Sequence, residues 1–244
     1  MKAYIQKGTD GECQNVNAFI ALDGFRKMGW EIAYYQHGHD IQGNEPDNVV
    51  VGYIDAVQCV LRSLGIVDLP SFNYPAELSP FLGRKIWKST VNTIANNPDK
   101  WGVFIKPVHD LKQFTGVLVQ STKDLIGCGR QDKDIEVWCA EPVNFLAEWR
   151  CFVRYGNIID ARPYKGHWKH HFDYRVIEEA VKMFVSAPNG YAIDFGITDK
   201  GQTLLVEVNE GYSIGAYGLQ SLDYAKVLSA RWAQLTQTED YGNF

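Results

Sequence analysis

The sequence is short of several things that would have fixed its class at once. Its five cysteines (Cys13, Cys59, Cys128, Cys139 and Cys151) are odd in number and scattered, with no Cys-x-x-Cys pair. Reduced thiols in a cytosol are the simplest reading, and neither a disulfide framework nor a zinc site is indicated. No stretch approaches the roughly 18 apolar residues of a membrane span. The opening MKAYIQKGTDGECQ lacks the apolar stretch of a signal peptide. Positive charge is outnumbered, 24 Lys and Arg against 29 Asp and Glu, for a formal net charge of -5. That argues against nucleic acid as the main partner and leaves room for a local basic patch. There is no Gly-x-Gly-x-x-Gly, so no dinucleotide is implied. Internal repeats and low-complexity tracts are absent too. What remains is the expectation of a cytoplasmic globular protein, 244 residues long and 45% hydrophobic, large enough for a real core.

Periodicity then gives an element order. Over the first 70 residues it predicts a strand at 3–6, a helix at 17–28 and strands at 30–35 and 49–52. A second helix follows at 53–64. Phe19, Ile20, Leu22, Phe25 and Met28 recur at helical spacing, and Gly29 and Gly65 sit where helices stop. This β-α-β…β-α order predicts a small parallel α/β unit. Residues 70–80, rich in Pro, Ser and Asn, read as a linker. Next come a helix at 82–96, strands at 101–107, 114–120 and 135–140, and a hairpin at 149–155 and 158–163 around Gly156-Asn157. An amphipathic helix at 173–185 turns Val176, Ile177, Ala180, Val181 and Phe184 inward. Strands at 191–197 and 203–209 and a helix at 222–235 close the chain.

The last strand pair carries the most chemistry. If its turn is Lys200-Gly201, counting outward sets Asp194 opposite Glu207. Alternation then puts Asn209 on the same face, with Ile193, Phe195, Val206 and Val208 on the other. Carboxylates directly opposite one another repel. Mg²⁺ would offset that, since it takes hard oxygen ligands and completes its shell with phosphate oxygens. The alternative is a solvated hairpin face with water between the charges. The string Asp194-Phe195-Gly196 is not a protein-kinase motif here, because no His-Arg-Asp loop precedes it.

Four motifs taken in order resemble the ATP-grasp superfamily: Phe104-Ile105-Lys106-Pro107, Glu141-Pro142-Val143, Glu148-Trp149-Arg150, and the set Asp194, Glu207 and Asn209. The resemblance runs from about residue 70 to the C-terminus. It implies an α/β (α+β) ATP-grasp fold, with two α+β subdomains (71–137 and 138–244) clasping ATP, preceded by a small parallel α/β domain (1–70). It implies that Lys106 contacts ATP from a strand, as a fixed point charge near the phosphates. Lys88 is the expected first nucleotide lysine, with Arg84 competing for the role. Glu141, Pro142 and Val143 correspond to the hinge that holds adenine, and Glu148 to the carboxylate that accepts the ribose hydroxyls. Arg150, two residues on, shares the strand face of Glu148. Many relatives carry Arg just before the first metal carboxylate, where this chain has Ile193. The phosphate-binding arginine is therefore Arg150 or Arg162. Asp194, Glu207 and Asn209 correspond to the Mg²⁺ ligands. Residues 109–116 match the loop that covers the phosphates, with a single glycine. For Lys88, Arg84 and Arg162 the alternative is a solvated surface charge.

The chemistry implied is ligation. A carboxylate is activated by ATP as an acyl phosphate and then attacked by an amine, both partners being small molecules or peptides. An ATP-binding regulatory protein and a small-molecule phosphotransferase are the alternatives. Residues 163–171, aromatic and basic, are expected near the carboxylate substrate; His167, His170 and His171 are either metal ligands or surface groups. The Gly-rich 210–218 segment either presents backbone amides to a substrate or is a flexible turn. Oligomeric state is left open.

Overall fold

The computed structural model describes residues 1–69, 72–108, 113–129 and 133–244. The backbone divides into two compact units. One is Met1–Phe81 together with Leu146–Phe244, the other Leu82–Phe145.

The first unit opens with the expected parallel arrangement. Strands β1 (Lys2–Gln6), β2 (Glu31–Tyr35) and β3 (Val49–Val51) form a sheet of order β2-β1-β3, with helices α1 (Val16–Lys27) and α2 (Ile54–Ser63) between or after them. Asn15 starts α1 by accepting the Ala18 N–H on its side-chain oxygen, which satisfies one of the orphan donors of a helix N-terminus. Phe19 departs from expectation, being 61% exposed. The buried stripe is instead Ala18, Ala21, Leu22 and Phe25. Its small residues allow a close approach from the C-terminal helix. A Cβ added at Gly24 would lie 2.0 Å from the Ser221 carbonyl oxygen.

The second unit is a four-stranded antiparallel sheet of order β4-β7-β5-β6, from β4 (Ile86–Thr90), β5 (Val103–Pro107), β6 (Val117–Val119) and β7 (Glu136–Ala140). The helix expected over 82–96 is corrected here: β4 occupies most of that stretch and only the short α3 (Val91–Ala95) follows. The cause is legible. Trp87, Val91 and Ile94 are spaced like a helical stripe and all join one core. Trp87 reaches that core from a strand, however, and Thr90 marks the change by capping α3 through the Thr93 N–H. The boundary anticipated at 137/138 falls inside β7.

The chain then returns to the first unit. Strands β8 (Phe145–Arg154), β9 (Asn157–Gly166), β10 (Gly190–Thr198) and β11 (Thr203–Glu210) form a sheet of order β11-β10-β8-β9. Helices α4 (Tyr174–Met183) and α5 (Ser221–Thr236) complete it. The β8–β9 turn is Tyr155-Gly156, one residue earlier than expected, both with positive φ (48° and 72°). Two left-handed residues match the twist of a two-residue hairpin. The expected linker is packed structure where it is described. Leu78 is fully buried, Glu77 accepts both the N–H and the hydroxyl of Ser186, and the Asn73 carbonyl accepts the Val208 N–H of β11. Its Pro and Ser residues read as a spacer, whereas Leu78 and Phe81 anchor it.

One core serves both sheets of the first unit. It joins Ile5, Phe25, Val57 and Leu61 to Phe152 and Ala192 through Tyr224, Val227, Leu228 and Trp232 of α5. Phe152 and Ala192 lie on the same sheet face as Arg150 and Asp194 by alternation. Helix α5 therefore covers one end of that face, where Arg154 donates to the Lys226 carbonyl. The other end carries the polar groups described next.

Candidate active site

The β10–β11 register places Asp194 opposite Glu207 and Ala192 opposite Asn209. The pairing expected from the sequence is present, though it arises differently. The turn is closed by Thr198 N–H on the Gln202 carbonyl, so it spans three residues, ending at Gly201 (φ +75°). Phe195 then pairs with Leu205, and the register shifts between Asp194 and Phe195. Val206 is the extra residue of a β-bulge, which restores the Asp194–Glu207 pairing.

What offsets the repulsion of these carboxylates is, in the first instance, Arg150. It lies on β8 beside β10 and donates from Nε to Asp194 Oδ1 (2.9 Å) and from Nη2 to Oδ2 (2.7 Å). Asn209 adds a donation from Nδ2 to Asp194 Oδ2 at 3.1 Å. Arg150 and Asp194 are 7% and 1% exposed, so this two-point ion pair is withdrawn from water. Burial alone would lower the basicity of Arg150, but the Asp194 carboxylate reverses this and raises it. Burial likewise raises the Asp194 carboxyl; Arg150 opposes the rise, and the Glu207 and Glu148 carboxylates add to it.

Two tyrosines missed by sequence reasoning cover the pair. The Arg150 guanidinium lies 4.9 Å from the ring centre of Tyr217 and 5.8 Å from that of Tyr164, within cation–π range. The two rings stack at 5.1 Å. Tyr217 belongs to the 210–218 segment, which is packed into the first unit by side chains on either side of it. Tyr212 is buried with its hydroxyl accepting from Gln58, the Ile214 carbonyl accepts from Tyr224, and Glu210 makes a buried two-point pair with Arg231. The spacing of Tyr164 and Tyr217 carries no signal, because they meet only through tertiary structure.

Glu148 is 7% exposed and already doubly engaged, accepting Tyr164 Oη at 2.7 Å and Lys165 Nζ at 2.5 Å. Arg162 stands directly across from Arg150 on β9 and pairs with Asp160. His167, Trp168 and His171 are exposed. His167 Nδ1 accepts the Lys169 N–H, and among the described residues no three His, Cys, Asp or Glu side chains gather as a metal cage. The metal reading of these histidines is set aside.

The nucleotide residues expected on the second unit fall on one sheet. Lys88, on β4 rather than a helix, pairs across to Trp138 of β7, and Trp138 pairs across to Lys106 of β5. The three therefore share a face. The opposite face carries Trp87, Val103, Ile105, Val119, Val137 and Cys139, packed with α3. Arg84 donates to the Leu82 carbonyl and stacks 5.6 Å from Phe145, a local role at the start of β4. In the connection after β7, Glu141 and Pro142 are exposed and Val143 is half-buried. Glu141 Oε2 accepts the Lys85 N–H at 2.9 Å, so this carboxylate also secures the entry to β4. Of the expected phosphate-covering loop, 109–112 lie outside the described residues. Gly116 sits against the Phe104 ring, where an added Cβ would meet it at 2.5 Å.

The donor set suits Mg²⁺: two carboxylates and an amide on one face, hard oxygens in the number that such a site takes from protein. Asp194 accepts three hydrogen bonds with about four acceptor positions to offer. The Asn209 amide oxygen takes no part in that set, since Asn209 meets Asp194 through Nδ2.

A family model described as "ATP-grasp domain, R2K clade family 2" matches residues 81–227. A search of curated protein sequences returns no match. Among solved structures the chain is similar to D-alanine–D-alanine ligase from Bacillus anthracis, with 13% identity over 97% of this chain and 98% of that one, at a TM-score of 0.57. It is also similar to L-amino acid ligase from Bacillus licheniformis, with 13% identity over 95% and 74% of the two chains and a TM-score of 0.57. A third is the macrocyclase MdnC, solved bound with precursor peptide MdnA from Microcystis aeruginosa MRC, with 14% identity over 93% and 99% and a TM-score of 0.51. At such identities the structures speak to fold. The family model spans well over half of the sequence, and the chain belongs to the ATP-grasp superfamily, in the R2K clade.

Proposed function

We propose that this protein is an ATP-dependent, ADP-forming ligase that activates a carboxylate as an acyl phosphate for attack by an amine. The observation that carries the reading is the buried Arg150–Asp194 pair with half-buried Glu207 and Asn209 beside it, a cation among hard-oxygen donors on one sheet face. Phosphoryl transfer asks little covalent chemistry of a protein; positioning and charge neutralisation do most of the work. In this reading residues 71–137 bring Lys88 and Lys106 to the phosphates, the 138–244 segment brings the metal hairpin, and 1–70 precedes them.

Each residue then has a task. Lys88 and Lys106 place point charges against the phosphates. Glu141, Pro142 and Val143 hold the adenine. Glu148 accepts the ribose hydroxyls, exchanging Tyr164 and Lys165 for them. Arg150 turns from Asp194 to the phosphoryl group in transfer, with Arg162 behind it, and stabilises the charge that spreads there. Asp194, Glu207 and Asn209 would hold Mg²⁺, which when bound neutralises phosphate charge. The carboxylate substrate attacks the γ-phosphorus, ADP leaves, and the amine then displaces phosphate from the acyl carbon. Amino acids or peptides are the proposed partners, in keeping with the names of the similar ligases. The free cysteines fit a reducing cytoplasm.

The test is release of ADP and phosphate across panels of amino acids and peptides, with Asp194→Asn as control. Release that requires both a carboxylate and an amine, and is lost in the control, supports the proposal. ADP formation on a hydroxyl acceptor with no amine would make the protein a phosphotransferase. Nucleotide binding without turnover would make it regulatory. Neither binding nor turnover would sink the reading altogether.

A further inference from the structure

An inner strand of the second unit's sheet carries a half-buried aromatic outside the packed cluster around α3. Trp138 lies on the middle strand β7, on the face turned away from the packed cluster of Val137, Cys139, Ile105 and α3. A large aromatic on the non-core face of a central strand is usually there to meet something. Its cross-strand neighbours are Lys88 on one side and Lys106 on the other. Lys88 Nζ stands 4.9 Å from the indole ring centre, within the range at which the ring quadrupole attracts an ammonium.

The rows of this face are ordered. Ala140 pairs with Ile86 and with Phe104, giving an apolar row next to the 141–143 connection, with Gly116 seated on the Phe104 ring. Two residues along each strand comes the cationic row Lys88–Trp138–Lys106. Paired residues advance about 7 Å along a strand, a step comparable to that from a base to its first phosphates. The face thus offers an apolar end followed by a charged row. The indole, negative at its face, holds the Lys88 ammonium over the sheet.

We infer that Trp138 is a positioning residue for the phosphates: its indole holds the Lys88 ammonium, so that a polyphosphate meets that cation already in place. The inference deepens the proposed nucleotide reading and rests on it. Trp138→Leu removes the π face and keeps an apolar side chain on the strand; Trp138→Phe keeps a smaller π face. Binding of a non-hydrolysable ATP analogue, ADP and adenosine to the full chain, by calorimetry, separates the possibilities. Trp138→Leu should raise the dissociation constant of the ATP analogue roughly 3- to 30-fold, the worth of one cation–π contact. Its effect on ADP should be smaller, and adenosine should bind as before. Trp138→Phe should recover most of the loss. In a Lys88→Met background, Trp138→Leu should cost less than it does alone, since the ammonium it holds is gone. An equal loss for adenosine and ATP would show a merely structural role and overturn the inference. So would an unchanged affinity in Trp138→Leu, while wild-type binding would leave the ligase reading standing. A wild-type protein that binds no nucleotide would overturn both.

Discussion

Replacing Arg150 by Leu tests the centre of the site most directly. The substitution leaves the Asp194 carboxylate 1% exposed, with Asn209 still donating to it and Glu207 across the hairpin. Removing one partner of a buried ion pair leaves an uncompensated charge and costs about 3–5 kcal/mol. For a domain of this size each kcal/mol moves the melting temperature by roughly 2–4 °C. A fall of roughly 6–20 °C is therefore expected by scanning calorimetry. The double variant Arg150→Met/Asp194→Leu, with no charge to strand, should recover most of it, because well-packed apolar pairs often replace buried ion pairs without loss.

The same variant has a pH signature of definite sign. Burial already raises the Asp194 carboxyl, and Arg150 is the main influence holding it down. Without Arg150 the folded-state value rises further above the unfolded one. A carboxyl raised in the folded state contributes stability that is present below its unfolded pKa and lost as pH rises through the folded value. The deficit of Arg150→Leu should thus be small near pH 4 and grow toward neutrality. A deficit that shrinks as pH rises, or a melting temperature within about 2 °C of wild type at pH 7.5, would refute the reasoning.

Other expectations follow from packing and burial. Gly24→Ala should destabilise by about 1–3 kcal/mol or more, read by urea unfolding, because its Cβ would stand 2.0 Å from the Ser221 carbonyl oxygen. Gly215→Ala places a Cβ 3.1 Å from the Tyr217 ring and 3.5 Å from Arg150 Nη1; nucleotide-dependent turnover should fall while urea stability changes by less than about 1.5 kcal/mol. Burial pushes the Cys139 thiol up to about 11, leaving on the order of 0.1% thiolate at pH 8. Mass spectrometry after brief iodoacetamide treatment at that pH should find Cys13 and Cys59, which are only partly buried, labelled well before Cys139.

Much of this was readable from the chain because it depends on local period. The parallel unit, the β10–β11 hairpin and both terminal helices follow from apolar spacing, and the motif order pointed to the superfamily that the family model identifies. Where periods coincide, the reading failed. Trp87, Val91 and Ile94 satisfy a helical stripe, yet the chain meets it with a strand and a short helix. The Asp194–Glu207 register survived two offsetting errors, a turn one residue longer than assumed and a bulge at Val206 that takes the residue back. Each error alone would have turned Glu207 toward the core.

What the sequence could not show is that the residues assigned to ligands are already partnered with one another. Arg150 holds Asp194, and Tyr164 and Lys165 hold Glu148. Such pairs cross strands, so no spacing announces them. They follow from burial: a charge at 1% exposure must be compensated whether or not a ligand is bound. Under the proposed function, binding is then an exchange of partners, in which phosphate replaces Asp194 on Arg150 and a cation replaces Arg150 on Asp194. The net gain is the difference between the two pairings, so affinity for either component alone should be modest. The two should reinforce each other, because each frees the group that the other requires. Titrating an ATP analogue at increasing Mg²⁺ measures this directly. A tightening greater than that shown by Arg150→Met/Asp194→Leu is expected. Equal Mg²⁺ dependence in both proteins would mean that the Arg150–Asp194 pair is structural and takes no part in the exchange.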